Sequence, residues 1–238
     1  SKFQKYVISK LDQYNLYVYT IPKEYAYRES TYGSRKKNKN VTLCTWAGKN
    51  ERINFCRSVC INSPSYSVFN FLIVPNSQYN IPFFGIDFVS LPTYHLLVLD
   101  FQPSLHVNKQ FGKKLLKELL IMKEDFHQKV PMAAKMSENI EAFFSPAVIW
   151  SKLPKEEKSE RLINNYLYPT FKKYLDLYLK ILFDAKEVDL EIQKELISGQ
   201  NHYLEYRRSK DPARPMLKVL FGETFTESLI NNLLFKIK

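Results

Sequence analysis

Two aspartates sit where a carboxyl group could deliver a proton. Asp87 lies in Pro82-Phe83-Phe84-Gly85-Ile86-Asp87-Phe88-Val89, an otherwise apolar run. On a strand, Gly85, Asp87 and Val89 share a face. Ionising a carboxyl among Phe and Ile is costly in a dry site, so burial raises its pKa toward neutrality. A neutral acid on a sheet facing a pocket is what proton donation requires. Gly85 removes side-chain bulk on the same face, which would let a flat ligand approach. The competing role for Asp87 is a strand aspartate bonded to a neighbouring side chain. Asp211 stands in Arg207-Arg208-Ser209-Lys210-Asp211-Pro212-Ala213-Arg214. Asp before Pro predicts a helix N-cap with Pro212 at the first helical position. A cap holds a carboxylate's pKa down, which opposes a donor role unless an apolar ligand or a second carboxylate outweighs it. Arg207 precedes Asp211 by four residues and shares its face if the helix extends that far. Arg207 and Arg214 are candidates to hold carboxylates of a ligand. Asp100 ends the apolar run Leu97-Val98-Leu99 before a loop, and its expected role is structural, bonding backbone amides of the turn.

The elements that would carry these residues divide along the chain. Residues 2–14 show a helical repeat through Phe3, Val7 and Leu11. Residues 16–20, 40–46, 52–61 and 68–74 read as strands, and residues 22–39 as a polar, basic loop. Two apolar runs, 83–90 and 94–101, flank Leu91-Pro92-Thr93, a hairpin pattern. Both are apolar on both faces, so the hairpin belongs inside a sheet covered on both sides. From about Lys109 the period becomes helical: Phe111, Leu115, Leu116, Leu119 and Met122 make one face, with Lys109, Lys113, Lys114 and Lys117 mostly on the other. A shorter helix is expected over 132–143, long helices over 155–183 and 188–209, and two short ones around Phe221-Gly222. Strands first and helices second predict an α/β (α+β) chain, a mainly antiparallel sheet sandwiched by helices, in one domain over 1–238.

Composition narrows the function. Among 238 residues, 45% are hydrophobic and 15% aromatic, as in a folded globular protein. No apolar run approaches the ~18 residues of a membrane span, and the start SKFQKYVISKL lacks the apolar core of a secretory signal. Cys44, Cys56 and Cys60 are too few for a disulfide framework and lack a metal-site spacing, and His95, His106, His127 and His202 form no metal motif. Nucleotide-binding glycine patterns are missing too, so no bound nucleotide, flavin or metal is expected. The net charge of +11 calls for an anionic partner. It does so through runs such as Arg35-Lys36-Lys37-Asn38-Lys39, although no nucleic-acid motif is visible.

Several stretches, in one order, resemble the ferredoxin-dependent bilin reductases. They are Val68-Phe69-Asn70-Phe71-Leu72-Ile73-Val74-Pro75, Tyr79-Asn80-Ile81-Pro82-Phe83-Phe84-Gly85-Ile86-Asp87, and Leu97-Val98-Leu99-Asp100-Phe101-Gln102-Pro103. Phe144-Ser145-Pro146 with Trp150-Ser151-Lys152-Leu153-Pro154 follows, then Lys210-Asp211-Pro212-Ala213-Arg214. Leu91-Pro92 before His95-Leu96-Leu97, Phe143-Phe144, Ser198-Gly199-Gln200, Met216-Leu217 and Phe221-Gly222 are most similar to the branch that forms phycoerythrobilin. The resemblance implies a three-layer α/β/α sandwich with the bilin between the sheet and the C-terminal helices. It implies reduced [2Fe-2S] ferredoxin as external donor of single electrons, and no bound cofactor. It puts the family's two catalytic acids on Asp87 and Asp211. Asn70 stands where enzymes forming phycocyanobilin have His, which argues against reduction of the D-ring vinyl group. Lys152 falls where an Arg often binds a propionate.

The expected reaction is the A-ring reduction of 15,16-dihydrobiliverdin to phycoerythrobilin, by electron and proton steps through a bilin radical. The expected substrate contacts are Asn70, Gly85, Lys152, Arg207 and Arg214, and the expected contacts to acidic ferredoxin are Lys113, Lys114 and Lys117. The chain is expected to be a monomer, without nucleic-acid or membrane partners, in a plastid or the cyanobacterial cytoplasm, and compatible with substrate handed over by a preceding reductase. The alternatives are reduction of biliverdin at the C15–C16 bridge, a non-catalytic bilin carrier, and a basic nucleic-acid-binding protein.

Overall fold

The computed structural model describes residues 2–34, 37–136 and 138–236; Arg35 and Lys36 of the basic run lie outside the described residues. Helix α1 (Lys2–Asp12) is followed by β1 (Tyr17–Val18), the single turn α2 (Lys23–Ala26), β2 (Tyr27–Tyr32), β3 (Lys39–Lys49), β4 (Ile53–Asn62), β5 (Ser67–Pro75), β6 (Phe83–Ser90) and β7 (Tyr94–Gln102). The second half holds α3 (Val107–Gln110), α4 (Lys113–His127), α5 (Glu138–Glu141), β8 (Ile149–Pro154), α6 (Glu157–Leu162), α7 (Tyr168–Asp184), α8 (Leu190–Lys210), α9 (Arg214–Phe221) and α10 (Glu223–Leu229). Wider π-type turns join α6 to α7 and follow α10, over Ile163–Leu167 and Ile230–Leu234.

The strands form one sheet in the order β1-β3-β4-β5-β6-β7-β8, with β2 also on β3 and every pairing antiparallel. The period of two sends alternate residues to opposite layers. Phe84, Ile86 and Phe88 pack with Val7 and Leu11 of α1, Leu119 and Phe126 of α4, and Phe171 and Tyr178 of α7. Phe83 of the same strand packs instead with Tyr203 and Leu204 of α8 and Leu217 of α9. The result is the expected α/β/α sandwich, with the 83–101 hairpin covered on both faces.

Four local expectations need correction. The stretch read as a loop over 22–39 contains β2, whose Arg28, Glu29, Ser30 and Thr31 hide a strand that only pairs along an edge of β3. Residues 149–154 form an unexpected strand, β8, which starts just after the Phe144-Ser145-Pro146 break and ends on Pro154. The helix expected over 132–143 shrinks to the single turn Glu138–Glu141. Val107–Gln110 is a separate turn, so the lysine-bearing helix begins at Lys113 after Gly112.

Candidate active site

A cavity of about 340 Å³ lies between the sheet and the α8–α9 layer, within the range of sites for sizeable ligands. Its floor is built from strand side chains of one face, including Val59, Val68, Val89 and Val98; β-branched residues on alternate positions give a flat, apolar slot. Its roof includes Phe143 and Tyr206, whose rings stack 3.7 Å apart at 12°.

A chain of polar groups runs through this floor. Asn70 and Asp87 are direct cross-strand partners on β5 and β6, which brings their side chains together. Asn70 Nδ2 donates to Asp87 Oδ1. Asn70 Oδ1 accepts from Arg57 Nη1, and Arg57 Nε donates to the Leu234 carbonyl at 3.0 Å. On the other flank, Arg207 Nη2 lies 3.6 Å from Asp87 Oδ2, and its Nη1 donates to the Tyr203 hydroxyl at 3.1 Å. That hydroxyl donates in turn to Gln102 Oε1. The Phe235 ring lies 5.2 Å from one guanidinium and 5.1 Å from the other.

Helical spacing brings Tyr203, Arg207 and Asp211 to one face of α8, and all three line the cavity with Asp87. Burial raises the pKa of Asp87 and the neighbouring Asp211 adds to it, while Arg207, the Asn70 amide and Arg57 pull the other way; the net direction is upward. Burial pushes Arg57 down to about 10, reinforced by Arg207, so it remains a cation at neutral pH. Burial opposes the charge of Arg207 as well, but Tyr203, Asp211 and Asp87 outweigh it and hold that guanidinium firmly charged.

Comparison with known proteins identifies the family. The profile of the family described as "Ferredoxin-dependent bilin reductase" matches residues 4–236. The chain belongs to the ferredoxin-dependent bilin reductases. It is 62% identical over 234 residues to a protein named phycoerythrobilin:ferredoxin oxidoreductase from Prochlorococcus marinus strain MIT 9301, covering 98% of this chain and 92% of that one. It is 59% identical, with the same coverage, to the protein of that name from strain MIT 9215. The crystal structure of tomato phytochromobilin synthase in complex with biliverdin superimposes with a TM-score of 0.81 over 98% of this chain and 82% of that one; at 23% identity it speaks for the fold. As a bilin reductase of this family, the chain is an oxidoreductase supplied with electrons by ferredoxin. Among the described residues no helix is long and apolar enough to cross a membrane.

The reductase fold gathers part of the expected site. Asn70, Asp87, Arg207 and Asp211 all line the one cavity. Gly85 shares the face of Asp87 but does not line the cavity, because the space above it is filled: a Cβ there would lie 2.3 Å from Gln102 Oε1. Its role is thus to admit Gln102, not a ligand. Asp211 is no N-cap. It closes α8, its Oδ1 accepts from the Ala213 amide at 2.7 Å, and the next helix starts at Arg214 with Pro215 in its first turn. Arg214 stays outside the cavity, donating to the Ser209 carbonyl at 3.0 Å and pairing with Glu227 at 3.3 Å. Lys152, exposed on β8, stands 4.2 Å over the ring of Tyr94, which does line the cavity. Lys113, Lys114 and Lys117 are exposed on α4, which packs on the opposite layer of the sheet.

Sequence reasoning missed Arg57, Gln102, Tyr203, Lys210 and Phe235. Arg57 had a signal, as the sole charge among the ten residues of β4. Tyr203 stands one helical turn before Arg207. Phe235 had none, because only the tertiary fold brings the C-terminal turn beneath the cavity.

Proposed function

We propose that this chain converts 15,16-dihydrobiliverdin to phycoerythrobilin, with Asp87 and Asp211 as proton donors. The observation that carries the proposal is the pair of carboxyl groups, on β6 and at the end of α8, lining one apolar cavity beneath aromatic side chains. Two electrons arrive singly from two reduced ferredoxins. A proton from each aspartate balances them, by way of a bilin radical. The hydrogens add to C2 and C3² of the A-ring diene system, and the remaining double bond moves between C3 and C3¹. Bulk water reprotonates the aspartates after the product leaves.

Asn70 holds Asp87 and contacts the bilin, Arg207 neutralises charge beside both acids, and Lys152 and Lys210 at the rim offer cations to the propionates. The +11 net charge supports steering of an acidic ferredoxin. Relatives from a cyanobacterium support a cyanobacterial cytoplasm as the setting. The chain works as one domain and a monomer, with its substrate supplied by a preceding bilin reductase.

The test is incubation with 15,16-dihydrobiliverdin and reduced ferredoxin under anaerobic conditions, followed by absorbance and product chromatography. Phycoerythrobilin is expected. Reduction of biliverdin at its C15–C16 bridge, with dihydrobiliverdin left unreacted, would reassign the step. Binding without any ferredoxin-dependent change would make the chain a carrier.

A further inference from the structure

Arg57 is 1% exposed and stands in a strand with no other charge. A buried cation is costly unless its donors are used. Its Nε is used on the Leu234 carbonyl, 3.0 Å away. That carbonyl belongs to the last residue of the π-type turn Ile230–Leu234, which Phe235 N closes by bonding back to the Ile230 carbonyl at 3.1 Å. The terminal turn and the Phe235 ring thus fix one edge of the guanidinium, and the other edge is presented to Asn70.

The consequence follows from donor and acceptor inventory. A guanidinium only donates, whereas an amide side chain has one accepting end and one donating end. Arg57 therefore compels Asn70 to turn its carbonyl toward β4 and its NH₂ toward β6. Asp87 Oδ1 then faces a donor and cannot direct a hydroxyl at it. Resting on the reading of Asp87 as a proton donor, we propose that Arg57 is a positioning residue. By orienting the Asn70 amide, it reserves Oδ1 of Asp87 as an acceptor and leaves the transferable proton to Oδ2, which faces the cavity with Asp211 and stands 3.6 Å from Arg207 Nη2, beyond hydrogen-bond reach. Asp87 would then deliver from one defined oxygen to one face of the bilin. Burial raises the Asp87 pKa and Asp211 adds to it, against Arg207, the Asn70 amide and Arg57.

The substitutions that separate this role from mere support are R57Q and R57K. Gln can offer a carbonyl to the Asn70 NH₂, which frees the amide to flip. Lys keeps the charge and donates only, but it cannot serve both Leu234 and Asn70 as a fork does. Single-turnover reduction of 15,16-dihydrobiliverdin by reduced ferredoxin would be followed against pH, and affinity measured by absorbance titration with the same bilin. R57Q is expected to lower the rate about tenfold or more with affinity held within about threefold. Its alkaline limb should move up by about one pH unit, because the lost cation and a carbonyl turned toward the carboxyl both favour the protonated form, and R57K, which keeps the charge, isolates the second cause. R57K should fall between R57Q and the unaltered chain.

A wild-type rate and limb in R57Q, or lost affinity with the rate preserved, would overturn the proposal. Should circular dichroism report R57Q unfolded, R57K carries the test: with the charge kept and the fork lost, its rate should fall and its limb move upward, and a wild-type rate and limb would overturn the proposal. D87N run in parallel separates the two levels. Undiminished turnover in D87N sinks the donor reading itself, whereas an inactive D87N beside a wild-type-like R57Q sinks only the role of Arg57.

Discussion

The two faces of β6 are built from neighbouring residues and serve opposite ends. Phe84, Ile86 and Phe88 enter a dry layer where rings meet at the spacing of an aromatic core; Phe171 contacts Phe3 at 5.2 Å and both Phe69 and Phe88 within 6.4 Å. Asp87 and Val89 face the other way, toward a cavity with two guanidinium groups and two carboxyls around it. An empty slot and buried charges both cost stability. The dense face offsets that cost, so a reactive face can be kept imperfectly packed. The comparison predicts that substitutions at the cavity-lining residues of one face affect rate, and those in the dense layer of the other affect stability.

The sharpest break concerns Asp87. In D87N the amide cannot give up a proton as a carboxylic acid does, and turnover is expected to fall about 10³-fold, while bilin still binds and the melting temperature changes little. Product formation at an ordinary rate in that variant would remove the distinction between the faces at its centre. On the dense face, F171A should cost about 3–5 kcal/mol of stability yet leave the rate of the remaining folded enzyme nearly unaltered at low temperature. Denaturant unfolding and single-turnover kinetics on one sample would check both halves. A large loss of rate in folded F171A would show that the dense face also tunes the chemistry.

Asp100 sharpens the comparison within the sheet, because it too is a strand carboxyl, fully buried where Asp87 is half-buried. Its Oδ2 accepts from the Ser145 amide at 2.7 Å and its Oδ1 from the Ser145 hydroxyl at 2.5 Å. Burial still raises its pKa to about 7, with the Ser145 bonds opposing. A carboxyl whose pKa is higher folded than unfolded binds more protons in the native state. Its contribution is therefore fully present below the unfolded value near 3.8 and is lost as pH rises toward 7. The change is up to about 4 kcal/mol. D100N should flatten this slope of stability between pH 4 and 7 in denaturant titrations, without abolishing reduction. An unchanged slope would mean that other groups dominate it.

How much of this was legible in the sequence depended on whether the cause was local. The hairpin around Leu91-Pro92-Thr93 was readable because period and turn chemistry agree, and its strands pair as expected. Asp87 was readable because one charge interrupts an apolar strand. The loop after Asp211 was misread because Asp-Pro carries the same signal at an N-cap as in the turn that ends α8. Gly85 was misread because a missing Cβ does not reveal what fills the space, here the side chain of Gln102 from the adjacent strand. The Arg57–Leu234 contact, spanning 177 residues, leaves no trace in any local pattern.

The smallest expected effect concerns where the electron donor docks. Lys113, Lys114 and Lys117 are exposed on α4, across the sheet from the cavity, whereas Lys210 lines the cavity and Lys152 stands beside its rim on Tyr94. Surface charges act mainly on the encounter rate and are screened by salt. A triple K113Q/K114Q/K117Q variant should slow ferredoxin-dependent reduction about threefold at low ionic strength, with the difference vanishing at about 0.5 M salt. Bilin affinity and the rate with a small chemical reductant should stay unchanged. If K152Q slows the ferredoxin step more than the α4 triple does, the donor approaches on the cavity side. The electron then need not cross the dense aromatic layer, and the division of labour between the two faces extends to partner recognition.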